Sequence, residues 1–141
     1  MRCKEKVAAC LDTQRVVETP DGLSDALVIR QPWLNLILAG KKTWEIRGRP
    51  TTKRCRILLA QSGTGKLMGS ARIVDCKSIP LEDMPEFFEN HRIPQSKFNI
   101  IQAYKTMFAW ILTDAEIFDE PIPYKHPQGA VSWVVLPGPQ V

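Results

Sequence analysis

Apolar and polar positions along the chain predict a series of short strands, with one helix near the beginning. Residues 26–29 are a run of apolar side chains, which is typical of a short strand buried on both faces. In residues 43–47, Trp44 and Ile46 alternate with polar side chains, so a second strand with one apolar side is expected there. Further strands are predicted over residues 54–60, 67–76, 107–118 and 130–136, with a hairpin turn at residues 62–66.

A short helix is predicted between the first two strands. Pro32 suits the first helical position, because its missing N–H would have no partner within the helix. Gly40 suits the left-handed position that follows the end of a helix. Trp33, Leu36 and Ile37 fall on one face, so we expect this helix to be deeply packed.

This order of elements predicts a mostly β fold with short helices, a β-rich α+β class. Five or six strands with one early helix, and without regular strand–helix alternation, favour a small closed or nearly closed barrel. The other connections are predicted as a helix or turn at residues 81–90, a short helix at 97–104 and a rigid link at 121–123. The predicted units are an N-terminal extension, poorly structured or with a short helix around residues 4–17, a barrel domain and a tail, at residues 1–24, 25–136 and 137–141.

The composition is that of a globular protein. The chain has 141 residues, of which 44% are hydrophobic and 24% charged, and this length suits a single domain with its own core. No apolar run approaches the ~20 residues that a transmembrane helix needs. The N-terminus lacks the continuous apolar block of a secretory signal, so we expect a soluble protein of the cytoplasm that does not bind membranes.

The formal net charge of +4 is unevenly distributed along the chain. Residues 41–77 contain ten Lys or Arg against two acidic residues, a net charge of +8, whereas residues 81–120 have a net charge of −5. If the basic block forms one face of the barrel, it suits a phosphate-bearing partner. The alternative is a solvated surface of lysines and arginines without a ligand.

The sequence contains no recognisable metal or cofactor site. The cysteines at positions 3, 10, 55 and 76 form no CxxC pair, and with two histidines no zinc-ligand spacing is present. We expect reduced thiols, with Cys55 and Cys76 buried in strands. The segment Ser62–Lys66 is not a P-loop, because Lys66 is followed by Leu67 and a strand. No cofactor is expected.

Charged residues converge where the predicted helix joins its two flanking strands. Arg30 leaves the first strand as Lys42 enters the second, and Thr43, Glu45 and Arg47 share one side of that second strand. A lysine desolvated in such a cluster has a lowered pKa and can act as a base or nucleophile, with Glu45 moving the proton. The alternative is a surface ion pair of ~0–1 kcal/mol between Glu45 and Arg47, with Lys42 as a helix-end charge.

The same stretch resembles the ASCH domain, a branch of the PUA-like superfamily. The family pattern is a strand ending near Gln-Pro-aromatic, a short helix, and then Gly-x-Lys-x-x-Glu-x-Arg. This chain supplies the pattern at Gln31, Pro32, Trp33, Gly40, Lys42, Glu45 and Arg47. The resemblance extends over about residues 25–136, with looser similarity at residues 119–125 and 131–133.

The resemblance implies a PUA-like five- or six-stranded β-barrel with a cleft beside the early helix, where RNA or nucleotides bind. Some bacterial members are amidohydrolases that remove the acetyl group from N4-acetylcytidine. In those members the second strand begins Lys-Thr-x-Thr, and the lysine and second threonine are catalytic. Lys42 and Thr43 match this pattern, but Glu45 occupies the place of the second threonine.

Two hypotheses from different functional classes follow. In the first, the protein binds RNA or a nucleoside-like ligand through a basic cleft at Arg30, Gln31, Pro32, Trp33, Gly40, Lys42, Glu45, Arg47 and Arg49. Trp33 or Trp44 would offer a stacking surface, unless both are core side chains. In the second, the protein is an amidohydrolase of modified nucleosides, or alternatively a ribonuclease, and Lys42, Thr43 and Glu45 are catalytic. A weaker third idea is that the acidic residues 81–120 dock a protein partner.

Overall fold

The computed structural model describes residues 17–104 and 106–137, and these form six strands and three short helices. The strands are β1 (Asp25–Ile29), β2 (Trp44–Arg47), β3 (Arg56–Gln61), β4 (Lys66–Ile79), β5 (Met107–Pro123) and β6 (Trp133–Val135). The helices are α1 (Trp33–Leu38), α2 (Phe88–His91) and α3 (Phe98–Ile101). Short 3-10 segments occur at Pro20–Gly22, Leu81–Phe87 and Gln95–Lys97.

All six strands belong to one curled sheet, with the order β2-β5-β4-β3-β1-β6. The pairing of β1 with β3 is parallel, and the other neighbours are antiparallel. The curl brings Arg47 on edge strand β2 within hydrogen-bond distance of β1, near the opposite edge of the sheet. The sheet is therefore a half-barrel, and the predicted class, mostly β with short helices, is confirmed.

Helix α1 packs on one face of the sheet and fills the half-barrel. Leu34, Ile37 and Leu38 are buried there against apolar side chains of β1, β3, β4 and β5. Pro32 is the residue before the helix rather than its first residue, a difference of one position that is common at helix ends. Gly40 has a φ of +76° and ends the turn after the helix, as predicted.

The other side of β2 is covered by residues 81–101, here called the covering segment. Trp44 and Ile46 of β2 contribute to a second apolar cluster with Met84, Phe98 and Ile101 of this segment. The rings of Trp44 and Phe87 have centroids 4.9 Å apart. Within residues 81–90, Met84 and Phe87 face β2, while most of the acidic side chains remain on the outside.

Three strand predictions need correction. Strand β4 continues to Ile79, and β6 contains only Trp133–Val135. Residues 121–123 were expected to be a rigid link, but they continue β5 and pair with the beginning of β4. Both prolines are tolerated because β2 pairs with β5 only as far as Ile111, so beyond that point no strand of the described residues lies on one side of β5.

The cysteine and terminal predictions have different outcomes. Cys55 is exposed, against expectation, because β3 begins only at Arg56 and Cys55 lies in the bend before it. Cys76 is half-buried in β4.

The helix predicted around residues 4–17 lies outside the described residues except for Val17, which packs with Leu23 against the core. In the part of the chain that the structure describes, no helix is long and apolar enough to cross a membrane.

Candidate functional site

The turn after α1 sets the direction of Lys42. Because Gly40 adopts a left-handed conformation, the main-chain N–H groups of Lys41 and Lys42 both donate to the carbonyl of Leu36, at 2.9 and 3.0 Å. The chain thus reverses within three residues and enters β2. The side chain of Lys41 stays exposed, whereas that of Lys42 points inward and is 1% exposed.

Lys42 is a buried cation with defined neighbours. Its Nζ donates a hydrogen bond of 2.7 Å to the main-chain carbonyl of His91 and lies 3.9 Å from Glu45 Oε1. The centroid of the Trp33 ring is 5.5 Å from the same Nζ, within range of a cation–π interaction. Burial lowers the pKa of Lys42 from 10.5 to about 8, with Glu45 opposing the change and Arg47 adding to it.

His91 holds the carbonyl that Lys42 contacts. Its ring is fully buried; Nδ1 accepts a hydrogen bond of 2.8 Å from the N–H of Ile93, and Nε2 lies 2.7 Å from the carbonyl of Met84. These bonds fit the neutral ring with its proton on Nε2. Burial lowers the pKa of His91, the Met84 contact opposes this, and nearby Lys42 adds to it.

Glu45 and Arg47 continue the buried network across the half-barrel. Arg47 Nε donates to Glu45 Oε2 at 2.9 Å, and Nη2 donates to the carbonyl of Val28 at 2.9 Å. Nη1 reaches the hydroxyl of Ser132 at 3.4 Å. Because Glu45 and Arg47 are 10% and 16% exposed at the side chain, the surface-ion-pair alternative is wrong. One guanidinium joins the two edges of the sheet.

An aromatic pair lies beside Arg47. The rings of Trp110 and Trp133 stack with centroids 5.8 Å apart, and the Arg47 guanidinium lies 5.8 Å from the Trp110 ring centroid. Trp110 Nε1 donates to the main-chain carbonyl of Arg49 at 2.9 Å. The carbonyl of Arg49 is therefore structural, while its side chain is exposed.

Side-chain amides cluster at the start of α1. Gln31 Oε1 accepts a hydrogen bond of 3.0 Å from the N–H of Asn35, and Gln31 Nε2 donates to Asn35 Oδ1 at 2.9 Å and to Gln61 Oε1 at 3.3 Å. Gln31 thus satisfies a main-chain donor in the first turn of the helix. Arg30 and Pro32 are exposed beside this cluster, and Trp33 is half-buried.

The structure brings together some of the predicted site residues but not all of them. Lys42, Glu45, Arg47 and Trp33 are in contact, whereas Arg30 and Gln31 lie at the surface by α1. Thr43 contributes main-chain hydrogen bonds: its N–H donates to the carbonyl of Asn90 at 2.9 Å, and its carbonyl accepts from the N–H of Leu112 at 2.7 Å. Trp44 faces the covering segment and is unavailable for stacking.

Sequence reasoning missed several members of the network. His91, Ser132 and Val28 contribute a carbonyl, a hydroxyl and a carbonyl from distant parts of the chain. Any residue has a main-chain carbonyl, so nothing in the sequence identifies His91 or Val28 as members of the network. The Ser132 contact depends on the curl of the sheet, which periodicity does not report.

The basic block of residues 41–77 does not form a single face. Lys42 and Arg47 point inward, and Lys53 forms an ion pair of 2.7 Å with Asp25. Arg56 and Arg72 face each other across β3 and β4. Among the described residues, no three His, Cys, Asp or Glu side chains come together as a metal site.

Comparison with known proteins identifies the family. A family model of the ASCH domain matches residues 27–122. An ASCH protein from Zymomonas mobilis has a similar crystal structure, with a TM-score of 0.65 and 18% identity over 82% of this chain and 89% of that chain. The structure of a serine-to-alanine mutant of that protein also matches, with a TM-score of 0.65 and 17% identity over 84% of this chain and 91% of that chain. The structure of a tyrosine-to-phenylalanine mutant matches with a TM-score of 0.65 and 18% identity over 79% of this chain and 88% of that chain. A comparison with curated proteins found no match. The chain belongs to the ASCH domain family, an RNA-binding type of domain.

Proposed function

We propose that this ASCH domain binds RNA or a nucleoside-like ligand in a cleft beside α1, above the buried network of Lys42, Glu45 and Arg47. The observation that supports this most is the network itself. Three charged side chains lie inside a small half-barrel, connected from Lys42 to Glu45 and from Glu45 to Arg47. Burying charges is expensive compared with apolar packing, and perturbed pKa values with a specific charge partner are concentrated at functional sites.

The proposed ligand contacts come from the accessible residues around this network. Arg30 is exposed and suits a phosphate or a base acceptor, and Gln31 Oε1, which accepts one hydrogen bond from Asn35, has a second lone pair that can accept from a base edge. The half-buried ring of Trp33 offers part of its surface for stacking. Lys42 and Glu45 would form the floor of the site, where their charges act through a low-dielectric interior.

The proposal places ligand binding in one unit of the chain. Residues 25–136 would be the ligand-binding unit, and the family match at residues 27–122 falls within it. RNA as the ligand favours the cytoplasm as the place of action. The remaining residues of the proposed site, Pro32, Gly40 and Arg49, would shape the cleft through their main chain or lie at its border.

The test of the binding function compares two exposed cations that flank α1. Fluorescence anisotropy would follow titration of a fluorescein-labelled 9-nucleotide single-stranded RNA of mixed sequence with wild-type protein, Arg30→Ala and Lys41→Ala. Arg30→Ala should weaken binding by roughly tenfold, because a direct contact is worth about 1–3 kcal/mol. Lys41→Ala makes the same charge change and should reduce affinity by no more than twofold. Equal affinities of the two variants would contradict the proposed cleft.

A second candidate function, hydrolysis of the amide in an N4-acetylcytidine-like nucleoside, is favoured by one specific observation. Because the pKa of Lys42 is about 8, about a tenth of the amine is neutral at pH 7, far more than for an ordinary lysine, and Glu45 is 3.9 Å away. Neutral Lys42 would take a proton from water, and the hydroxide would attack the acetyl carbon. The C–N bond would then break, with the proton passing to the leaving N4 amine, to give acetate and cytidine.

This candidate requires Lys42 to leave the carbonyl of His91, since Nζ is buried in the structure. Chromatography of N4-acetylcytidine after incubation with wild-type protein, Lys42→Met and Lys41→Met tests it. The enzymatic hypothesis predicts conversion to cytidine by wild-type protein and Lys41→Met but not by Lys42→Met. Absence of conversion by all three, or equal conversion by all three, would contradict it for this substrate.

A further inference from the structure

A pocket of about 160 Å³ lies away from the Lys42 network, and none of the predicted site residues lines it. It is here called the Tyr104 pocket. It opens where the end of β4, the chain leaving α3 and the start of β5 meet. Its lining includes Ser78, Ile79, Gln102, Tyr104, Thr106 and Met107.

The lining combines an apolar floor with neutral polar groups at the rim. Ile79 and Met107 are 7% and 4% exposed and form part of the apolar floor. Ser78, Gln102 and Thr106 are exposed, and the structure gives none of their side chains a hydrogen bond to another described residue. Among the described residues, no Lys, Arg, Asp or Glu lines the pocket, and the rim offers neutral hydrogen-bonding groups that suit the edge of a planar ligand.

Tyr104 supplies a partly exposed aromatic surface beside the pocket. Its ring is 37% exposed and lies against the main chain of Gly48, so close that a Cβ on Gly48 would be 2.9 Å from Tyr104 Cδ1. Gly48 directly follows Arg47, and the next residue is the exposed Arg49. The pocket is therefore attached to the end of the strand that carries Glu45 and Arg47.

From this juxtaposition we propose that the Tyr104 pocket receives one nucleobase of a single-stranded RNA, stacked on Tyr104. The inference rests on the proposed function, because it takes RNA as the ligand. The volume is about half the lower limit of pockets that enclose drug-sized molecules, so a single planar ring system fits and the sugar and phosphate remain outside. Hydroxyl and amide groups at the rim bond the edge of the base, and Arg49, the residue after Gly48, is an exposed cation available to its phosphate.

The experiment is an NMR titration of the full ¹⁵N-labelled chain with adenosine and, separately, with ribose 5-phosphate, which lacks a base. The inference predicts that adenosine shifts the main-chain amides of Thr106 and Met107, whereas ribose 5-phosphate does not. The side-chain amides of Gln31 and Asn35 report on the cleft beside α1 in the same spectra. If adenosine leaves the Thr106 and Met107 signals unmoved, the inference is wrong.

The same spectra separate this inference from the proposed function. Shifts at Thr106 and Met107 without shifts at Gln31 and Asn35 would support the pocket and contradict the cleft. Shifts at Gln31 and Asn35 alone would support the cleft and overturn the pocket. An absence of shifts at all four would contradict both.

Variants of Tyr104 test the stacking. Tyr104→Leu should weaken adenosine binding at the pocket by at least fivefold, because stacking on an aromatic ring is worth about 1–3 kcal/mol per base. Tyr104→Phe keeps the ring and should stay within about threefold of wild type. Phe88→Leu removes another exposed aromatic ring and serves as the matched control, with no expected change. Unchanged affinity in Tyr104→Leu would overturn the inference.

Gly48→Ala offers a variant in which no lining residue is substituted. The three atoms nearest to the added methyl group all belong to the Tyr104 ring, which has to move by a few tenths of an ångström or more. We expect weaker adenosine binding at the pocket with an unchanged response of Gln31 and Asn35. If Gly48→Ala and Tyr104→Leu both bind adenosine as tightly as wild type, the Tyr104 ring does not stack on the base and the inference is wrong.

Discussion

Lys42 Nζ donates a 2.7 Å hydrogen bond to the main-chain carbonyl of His91, a residue 49 positions further along the chain. The residues on either side make equivalent contacts, since Thr43 N–H donates to the carbonyl of Asn90 and Arg92 Nε donates to the carbonyl of Lys41, both at 2.9 Å. Each of the three residues 41–43 before β2 thus forms a hydrogen bond to the covering segment. This pairing buries Lys42 and determines its chemistry.

The stability of the protein should rise with pH in the alkaline range because of Lys42. Its pKa is about 8 in the folded protein against 10.5 ordinarily, so between these values the unfolded chain binds a proton that the folded chain does not. The unfolding free energy therefore increases from pH 8 to 10.5, by up to about 3 kcal/mol for this group. Urea denaturation across this range should show the rise in wild type and Lys41→Met but not in Lys42→Met. Parallel pH profiles of wild type and Lys42→Met would contradict the buried-lysine account.

Acidification should destabilise the protein through His91. Its pKa is lowered in the folded state, so below the ordinary value of 6.5 the unfolded chain takes up a proton before the folded chain does. Protonation also requires a hydrogen on Nδ1, which now accepts from the N–H of Ile93. The melting temperature should fall between pH 7.5 and 5.5, and this fall should be smaller in His91→Gln. The melting temperature of His126→Gln, which alters the other histidine, should fall as much as that of wild type. If the melting temperature of His91→Gln falls by the same amount, the prediction is wrong.

Replacing Arg47 with lysine should destabilise the fold even though the charge is retained. A lysine cannot contact Glu45, Val28 and Ser132 at once, because it lacks the planar guanidinium that donates in several directions. We expect Arg47→Lys to lower the unfolding free energy by about 1–3 kcal/mol, the range for hydrogen bonds to charged groups. Arg49→Lys, at an exposed side chain, is the matched control and should change it by less than about 0.5 kcal/mol. Similar denaturation midpoints for the two variants would show that Arg47 does not hold the sheet edges together.

Gly69→Ala should be among the most destabilising small substitutions in β4. A Cβ at Gly69 would overlap the main-chain carbonyl oxygen of Glu116 and lie 2.6 Å from Leu38 Cδ2. Because a strand backbone cannot move aside without breaking its ladder, we expect a loss of about 3 kcal/mol. At Gly48 the three atoms nearest to an added Cβ belong to a side-chain ring, so Gly48→Ala should cost less. A melting temperature of Gly69→Ala equal to that of Gly48→Ala would contradict the close packing of α1, β4 and β5.

Local patterns predicted the elements that carry the site. The proline–glycine boundaries of α1, the alternation in β2 and the left-handed Gly40 all depend on neighbours within a few residues, and the structure has them. For the same reason the proximity of Lys42, Glu45 and Arg47 was predictable. Their roles in ligand binding remain predictions.

Burial could not be predicted in the same way, because it depends on contacts between distant parts of the chain. Lys42 is as polar as Lys41, and its burial comes from contacts with Trp33, Glu45 and the covering segment, two of which lie outside β2. Cys55 lies one residue before β3 begins, too close to the boundary for an apolar pattern to decide. Residues 121–123 differ from the predicted rigid link because the strand order leaves one side of β5 there without a partner among the described strands, and strand order is a property of the whole sheet.

The most direct test of the central claim is to map where RNA contacts the protein. A single-stranded RNA containing 4-thiouridine would be cross-linked to the full chain by ultraviolet light, and the modified peptides identified by mass spectrometry. The proposed function predicts cross-links within residues 30–49, at or beside Arg30, Gln31 and Trp33, and the Tyr104 pocket adds a second position. Cross-links that lie only outside residues 30–49 would contradict a binding cleft above the Lys42 network.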